Sequence, residues 1–226
     1  MTAGNNHPPW AIRPITPEPV YTDREEHLEY LYRSALKAIT RRSMSTVLLG
    51  QRRMGKTEIF KRVVNRLFFE QEKYADLSAS VVPVYYCFED RVLDKWDFAI
   101  RYAENFLRWY AAFRLRNPDL LSEKIWSREA LVDRAKTDVP WSVGLKGTLN
   151  LLETLSRKAV TDPESSVLTL PRWVSDRDDT TVAMFLDEFQ FTRLPQFNFD
   201  IVGLMQQAVE SPTCPHFVTG SAMSIL

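Results

Sequence analysis

Eight residues, Gly50-Gln51-Arg52-Arg53-Met54-Gly55-Lys56-Thr57, set the tightest limit on what this chain can fold into. They follow the β-branched and aliphatic run Thr46-Val47-Leu48-Leu49 and lead into a segment with helical spacing at Ile59, Val63, Leu67 and Phe68. Strand, glycine-bounded turn and helix, in that order, are the setting in which the spacing GxxxxGK[ST] makes a phosphate-binding loop. The two glycines let the backbone curl until successive N–H groups point inward, and the helix behind them adds the positive end of its dipole. In such a loop Lys56 reaches the β- and γ-phosphates as a point charge, and the Thr57 hydroxyl is a ligand for the Mg²⁺ that bridges them. The rival reading is a plain strand-to-helix turn with an exposed lysine. Arg52 and Arg53 inside the turn have three uses open to them: phosphate contact, contact with a neighbouring subunit, or solvent.

The second decisive stretch is Thr181-Val182-Ala183-Met184-Phe185-Leu186-Asp187-Glu188, five apolar residues delivered to two carboxylates. It reads as a buried strand whose C-terminal end emerges where open α/β sheets bind ligands. A nucleoside triphosphate resists hydrolysis partly because its charge repels a nucleophile, so the reaction needs a metal, neutralised charge and an aligned water. Asp187 would hold Mg²⁺, directly or through its waters, and Glu188 would orient or deprotonate the attacking water. Neighbouring residues on a strand point opposite ways, but the chain turns at the strand's end, so both can face one site. His216-Phe217-Val218-Thr219-Gly220-Ser221 reads as a further strand ending in small polar residues, and one hydroxyl there, Ser221 ahead of Thr219, belongs near the γ-phosphate. Gln190 is either a polar contact to water or phosphate or a surface amide. Cys214 and His216 lie two apart, but structural zinc takes four ligands, so no zinc site is expected.

Residues 1–20 carry Pro8, Pro9, Pro14, Pro17 and Pro19 and form an extended arm, pinned by Trp10 and Ile12 to the body or to a partner. Thr22-Asp23-Arg24-Glu25 has capping-box spacing, and Leu28, Leu31, Tyr32, Ala35, Leu36 and Ile39 then give an apolar helical stripe. Strand one spans 45–49, the helix after the phosphate loop 56–73, and strand two Val81 to Phe88, with Pro83 confined to a strand start or an edge. Residues 92–180 are far more than a crossover needs. Phe98, Tyr102, Phe106, Trp109, Tyr110 and Phe113 form an aromatic helical stripe, read as core in preference to a partner surface. A weaker helix covers 122–136, 137–147 is a loop or small hairpin, 148–158 is helical, and 161–180 is a mobile loop. An amphipathic segment covers 199–210.

With 226 residues, the chain suits one large α/β domain with an embellishment. Lys plus Arg and Asp plus Glu both number 29, so net charge gives no support to a nucleic-acid partner, and no apolar run is long enough to cross a membrane. Cys87 and Cys214, in apolar strand-like surroundings, read as buried thiols in a reducing, cytoplasmic setting.

Taken together, Thr22-Asp23-Arg24-Glu25-Glu26, the loop at 50–57, Phe185-Leu186-Asp187-Glu188-Phe189-Gln190 and Val218-Thr219-Gly220-Ser221 look like the AAA+-related archaeal-type and STAND ATPases. The resemblance runs in motif order from about residue 20 to 226. It implies a P-loop NTPase fold of the ASCE kind: a parallel sheet of strand order 5-1-4-3-2 flanked by helices, with 92–180 as a helical insertion between strands two and three. It further implies ATP with Mg²⁺, a glutamate base, a polar sensor at the end of strand four, and base contact near 21–25. Members of the family continue past the sensor strand into a fifth strand, an arginine finger and a helical lid. The chain stops at Leu226, so a truncated core, slow turnover and an unpaired, adhesive edge on strand one are expected. Two functional readings follow: an ATPase driving a conformational or assembly switch, and a nucleotide-gated interaction module with little turnover, contacting partners through the stripe at 96–113 or the arm. A small-molecule kinase is a third, less favoured because the Asp-Glu pair suits water activation.

Overall fold

A computed structural model of the chain describes residues 10–17, 21, 24–51, 53–71, 80–90, 94–178, 180–194 and 199–221. Four strands, β1 (Thr46–Gly50), β2 (Val81–Cys87), β3 (Thr181–Asp187) and β4 (His216–Ser221), form one all-parallel sheet in the order β1-β4-β3-β2, flanked by helices. β3 is buried from end to end, which is why its sequence is an unbroken apolar run up to Asp187. β2 is an edge strand, and Pro83 is tolerated there because the outer side of an edge asks for no ladder donor. β1 is the other edge, with Val47 and Leu49 exposed and, among the described residues, no strand beyond it.

Helix α1 (Glu25–Leu36) buries Leu28, Leu31, Tyr32 and Ala35 as its periodicity requires. Its start differs from the capping box expected at Thr22: the N-cap is Arg24, left-handed at φ 77°, with no side-chain cap bond. Thr22 and Asp23 lie outside the described residues. Helix α2 (Lys56–Phe69) begins directly after Gly55, whose φ of 76° a glycine adopts without strain.

Among the described residues four α-helices separate β2 from β3, α3 (Lys95–Arg114), α4 (Arg128–Asp138), α5 (Val143–Ser156) and α6 (Pro163–Arg177), with a 3-10 turn at Pro118–Leu121 after α3. Asp94 caps α3 by accepting from the Trp96 and Asp97 amides at 2.7 and 2.8 Å. The six aromatics of its stripe are all buried, and Phe68 of α2 meets Trp109 and Phe113 edge-on, so the stripe is core and offers no partner surface.

Two expectations fail here. Residues 161–180 are not a mobile loop: Pro163 opens α6, a favourable first-turn position, and Val167, Leu168, Leu170, Pro171 and Val174 give it a buried face. Residues 137–147 are not a hairpin or open loop, because α4 runs to Asp138 and α5 starts at Val143. Gly144 and Gly147 are close-approach positions instead: a Cβ would stand 2.3 Å from the Asp178 carboxylate at the first and 2.3 Å from the Trp173 ring at the second. A last helix, α7 (Ile201–Val209), precedes β4. Of the two thiols expected to be buried, Cys214 is and Cys87, at the C-terminal end of β2, is exposed.

Residues 10–17 run along α2 as a strap. Asn65 accepts from the Ala11 and Ile12 amides (2.8 and 3.1 Å) and donates to the Ile12 carbonyl (2.7 Å). Glu58 accepts from the Ile15 and Thr16 amides (2.6 and 3.3 Å), and Arg62, paired with Glu58 at 2.6 Å, donates to the Thr16 carbonyl at 2.7 Å. Glu58, Arg62 and Asn65 are buried polar residues whose hydrogen-bonding capacity is met largely by strap backbone. Among the described residues no helix is long and apolar enough to cross a membrane.

Candidate active site at the strand ends

Parallel pairing brings three strand ends to one rim of the sheet. Gly50 of β1 stands beside Ser221 of β4, and Leu186 of β3 pairs with Val218, so the next step of that register sets Asp187 level with Thr219. Around this rim lies a cavity of about 420 Å³, lined by Arg53, Met54, Gly55, Lys56 and Thr57 from the turn, by Glu188 and Gln190 after β3, and by Thr219 to Ser221 of β4. Ile15 and Thr16 of the strap complete its wall. The volume falls within the range of small-molecule sites.

The two acidic residues face different surroundings. Asp187 is fully buried and absent from the cavity lining. Its Oδ2 accepts from the Tyr85 hydroxyl at 2.8 Å, and its Oδ1 accepts from the Thr219 hydroxyl and from the Glu188 amide, the latter at 3.0 Å. Tyr85 is held protonated, its phenol pushed far above the usual range first by burial and then by the Asp187 charge. Glu188 takes a left-handed conformation at φ 56°, and this reversal swings its side chain into the cavity one residue after Asp187. The Gln190 side-chain amide donates to Glu188 Oε2, and its carbonyl accepts from the Ser221 amide at 3.1 Å.

On the opposite side, Lys56 Nζ donates to the Gly50 and Gln51 carbonyls at 3.0 and 2.8 Å, so its ammonium lies across the mouth of the turn. The first N–H groups of α2 have no partner within their own helix and are oriented along its axis toward this end. The Arg24 guanidinium lies against Gly55, 3.4 Å from where a Cβ would stand. Arg24, Arg53 and Glu188, three of the non-glycine residues with positive φ, thus gather at this cavity or against its turn. Backbone held in sparsely populated regions concentrates at functional sites.

Of the residues singled out by sequence, Arg53, Met54, Gly55, Lys56, Thr57, Glu188, Gln190, Thr219 and Ser221 line one cavity. Gly50 and Gln51 meet it through their carbonyls on Lys56, Asp187 lies behind Thr219, and Arg52 is outside the described residues. Both Thr219 and Ser221 stand at the lining, but the Thr219 hydroxyl is committed to Asp187. Sequence reasoning missed Tyr85, Ile15 and Thr16, and it named Arg24 only within the segment 21–25 given for base contact, not as a neighbour of Gly55. Tyr85 carried a signal, since a hydroxyl in an otherwise apolar buried strand must find a partner. Among the described residues no three His, Cys, Asp or Glu side chains cluster to hold a metal, and His216 directs Nδ1 to the Cys214 carbonyl at 2.9 Å. No protein-family model matches the chain, and no curated protein matches it either.

Proposed function

We propose that the chain is a P-loop ATPase core of the AAA+/STAND kind, binding ATP with Mg²⁺ and hydrolysing it to drive a conformational or assembly switch. The observation that carries this reading is the shared cavity: the glycine-bounded turn with Lys56 and Thr57 forms one wall, and Glu188 and Ser221 form the other. A turn with a structural role alone has no reason to face a carboxylate from a strand two places away in the sheet.

Lys56 lies within its own loop's reach and would exchange two carbonyl partners for phosphate oxygens, a stronger charge-assisted contact. Mg²⁺ keeps several waters and takes one or two protein oxygens beside the phosphates; Thr57 at the cavity would be one, and Asp187, buried behind Thr219, would serve the ion only on giving up one of its protein donors. Bound there, the ion would neutralise charge developing on the β- and γ-phosphate oxygens. Glu188 accepts a proton from a water as that water's oxygen bonds to the γ-phosphorus. The bond from that phosphorus to the β–γ bridging oxygen breaks, leaving ADP and inorganic phosphate.

One observation favours the second reading, a nucleotide-gated module with little turnover: both Asp187 oxygens are already engaged by protein donors, which limits how closely the carboxylate can serve a metal. Two variants decide. Lys56→Ala weakens ATP affinity about 10- to 100-fold, the worth of a charge-assisted contact, in a calorimetric titration. Equal affinities would reject the site. Glu188→Gln leaves ATP affinity intact and lowers turnover by roughly 100-fold or more if Glu188 is the base; unchanged turnover favours the module.

A further inference from the structure

The end of β4 holds both carboxylates, each by a different device. Thr219 reaches Asp187 directly, whereas Ser221, two residues on and on the same side of the strand, reaches Glu188 only through Gln190. The direction of that link is fixed by chemistry. A backbone N–H can only donate and a carboxylate can only accept, so Gln190 must turn its carbonyl to Ser221 and its amide to Glu188. A side chain with only one of these functions, or one methylene shorter, cannot span the two. The turn carrying Gln190 is itself anchored, since Phe189 packs edge-on against Phe88 at 5.3 Å, so the amide works from a fixed base.

From this geometry we infer that Gln190 is a positioning residue for the hydrolytic base: it ties Glu188 Oε2 to the Ser221 backbone and leaves Oε1 to take the proton from water. This rests on the ATPase reading of the same cavity. It adds a coupling to it, because any shift of the β4 end on contact with a γ-phosphate is passed through one rigid amide to the carboxylate. Glu188 occupies a left-handed backbone position, and holding its side chain by a second point fixes the carboxylate to a single pose.

The test uses the full chain and the variants Gln190→Met, of similar length without hydrogen bonding, and Gln190→Asn, polar but too short. Both lower kcat roughly 10- to 100-fold, as loss of a positioning partner does, with KM within about twofold of the parent. Placed on Glu188→Gln, neither lowers turnover further, because Gln190 acts through Glu188. Independently of catalysis, hydrogen exchange at the Ser221 amide accelerates in Gln190→Met. Parental kcat in both variants, a matched loss through KM, or unchanged exchange at Ser221 overturns the inference while leaving the ATPase reading standing. A parent chain that binds ATP but shows no turnover dependent on Glu188 rejects that reading, and this inference with it.

Discussion

Asp187 shows how much a single side chain can be asked to do. It ends the most buried strand of the sheet with no exposed surface, and a carboxylate there is tolerable only because Tyr85, Thr219 and the Glu188 amide supply donors. Removing one donor leaves charge without its partner. Tyr85→Phe is therefore expected to cost about 1–3 kcal/mol in urea unfolding, more than the loss of an exposed hydroxyl. Thr219→Val should cost a similar amount and also disturb Glu188, whose amide lies 3.3 Å from the Thr219 hydroxyl. Ser221, by contrast, uses only its backbone on Gln190, so Ser221→Ala should leave stability within about 0.5 kcal/mol of the parent, as surface changes do. A loss as large as that of Tyr85→Phe would mean that the Ser221 hydroxyl carries packing the geometry does not reveal.

At the level of elements, the strap on α2 is held by polar side chains that are themselves buried, and the Glu58–Arg62 pair is its centre. Glu58→Ala takes the carboxylate away from buried Arg62 and from two strap amides together, so a loss of roughly 3–5 kcal/mol is expected by denaturant titration, with the strap becoming sensitive to limited proteolysis. The contrast between strap and strands explains what the sequence disclosed. Strands β1 to β4, α1 to α3 and the cavity-facing turn were legible because each has a one-dimensional signature: an apolar run, a 3.6-residue stripe or a fixed glycine spacing. α6 was not, because Pro163, Pro171 and its charges read as loop punctuation, while its apolar face becomes visible only once a proline is allowed at the first helical turn. Gly144 and Gly147 misled in the same way, being glycines for the approach of α6 and not for a turn. The partner of Asp187 was hidden for another reason: Tyr85 meets it from the neighbouring strand, at a separation no local pattern encodes, whereas Gln190, two residues from Glu188, was singled out with its partner left open.

Over the whole molecule, acid sensitivity has an identifiable source. His216 is buried at the start of β4, its Nε2 has no hydrogen-bond partner among the described residues, and burial pulls its pKa down to about 4 against a weaker opposing pull from the Cys214 carbonyl. Unfolded, the imidazole titrates near 6.5, so below that pH the unfolded chain binds the extra proton and the folded one does not. Stability is therefore complete above about pH 6.5 and falls as pH drops toward 4, by about 3 kcal/mol from this residue. Urea midpoints at pH 7, 6 and 5 should show the decline, and His216→Leu should flatten it between 6.5 and 5; an unchanged slope would assign the loss elsewhere. The strap has a quieter consequence. Its donors are the amides of residues 11, 12, 15 and 16, and Pro14 and Pro17 fall where no donor is used. Sliding the strap by one or two residues either way would set an imino nitrogen opposite Glu58, so the two prolines act as index marks that admit a single alignment of the N-terminal segment on the molecule.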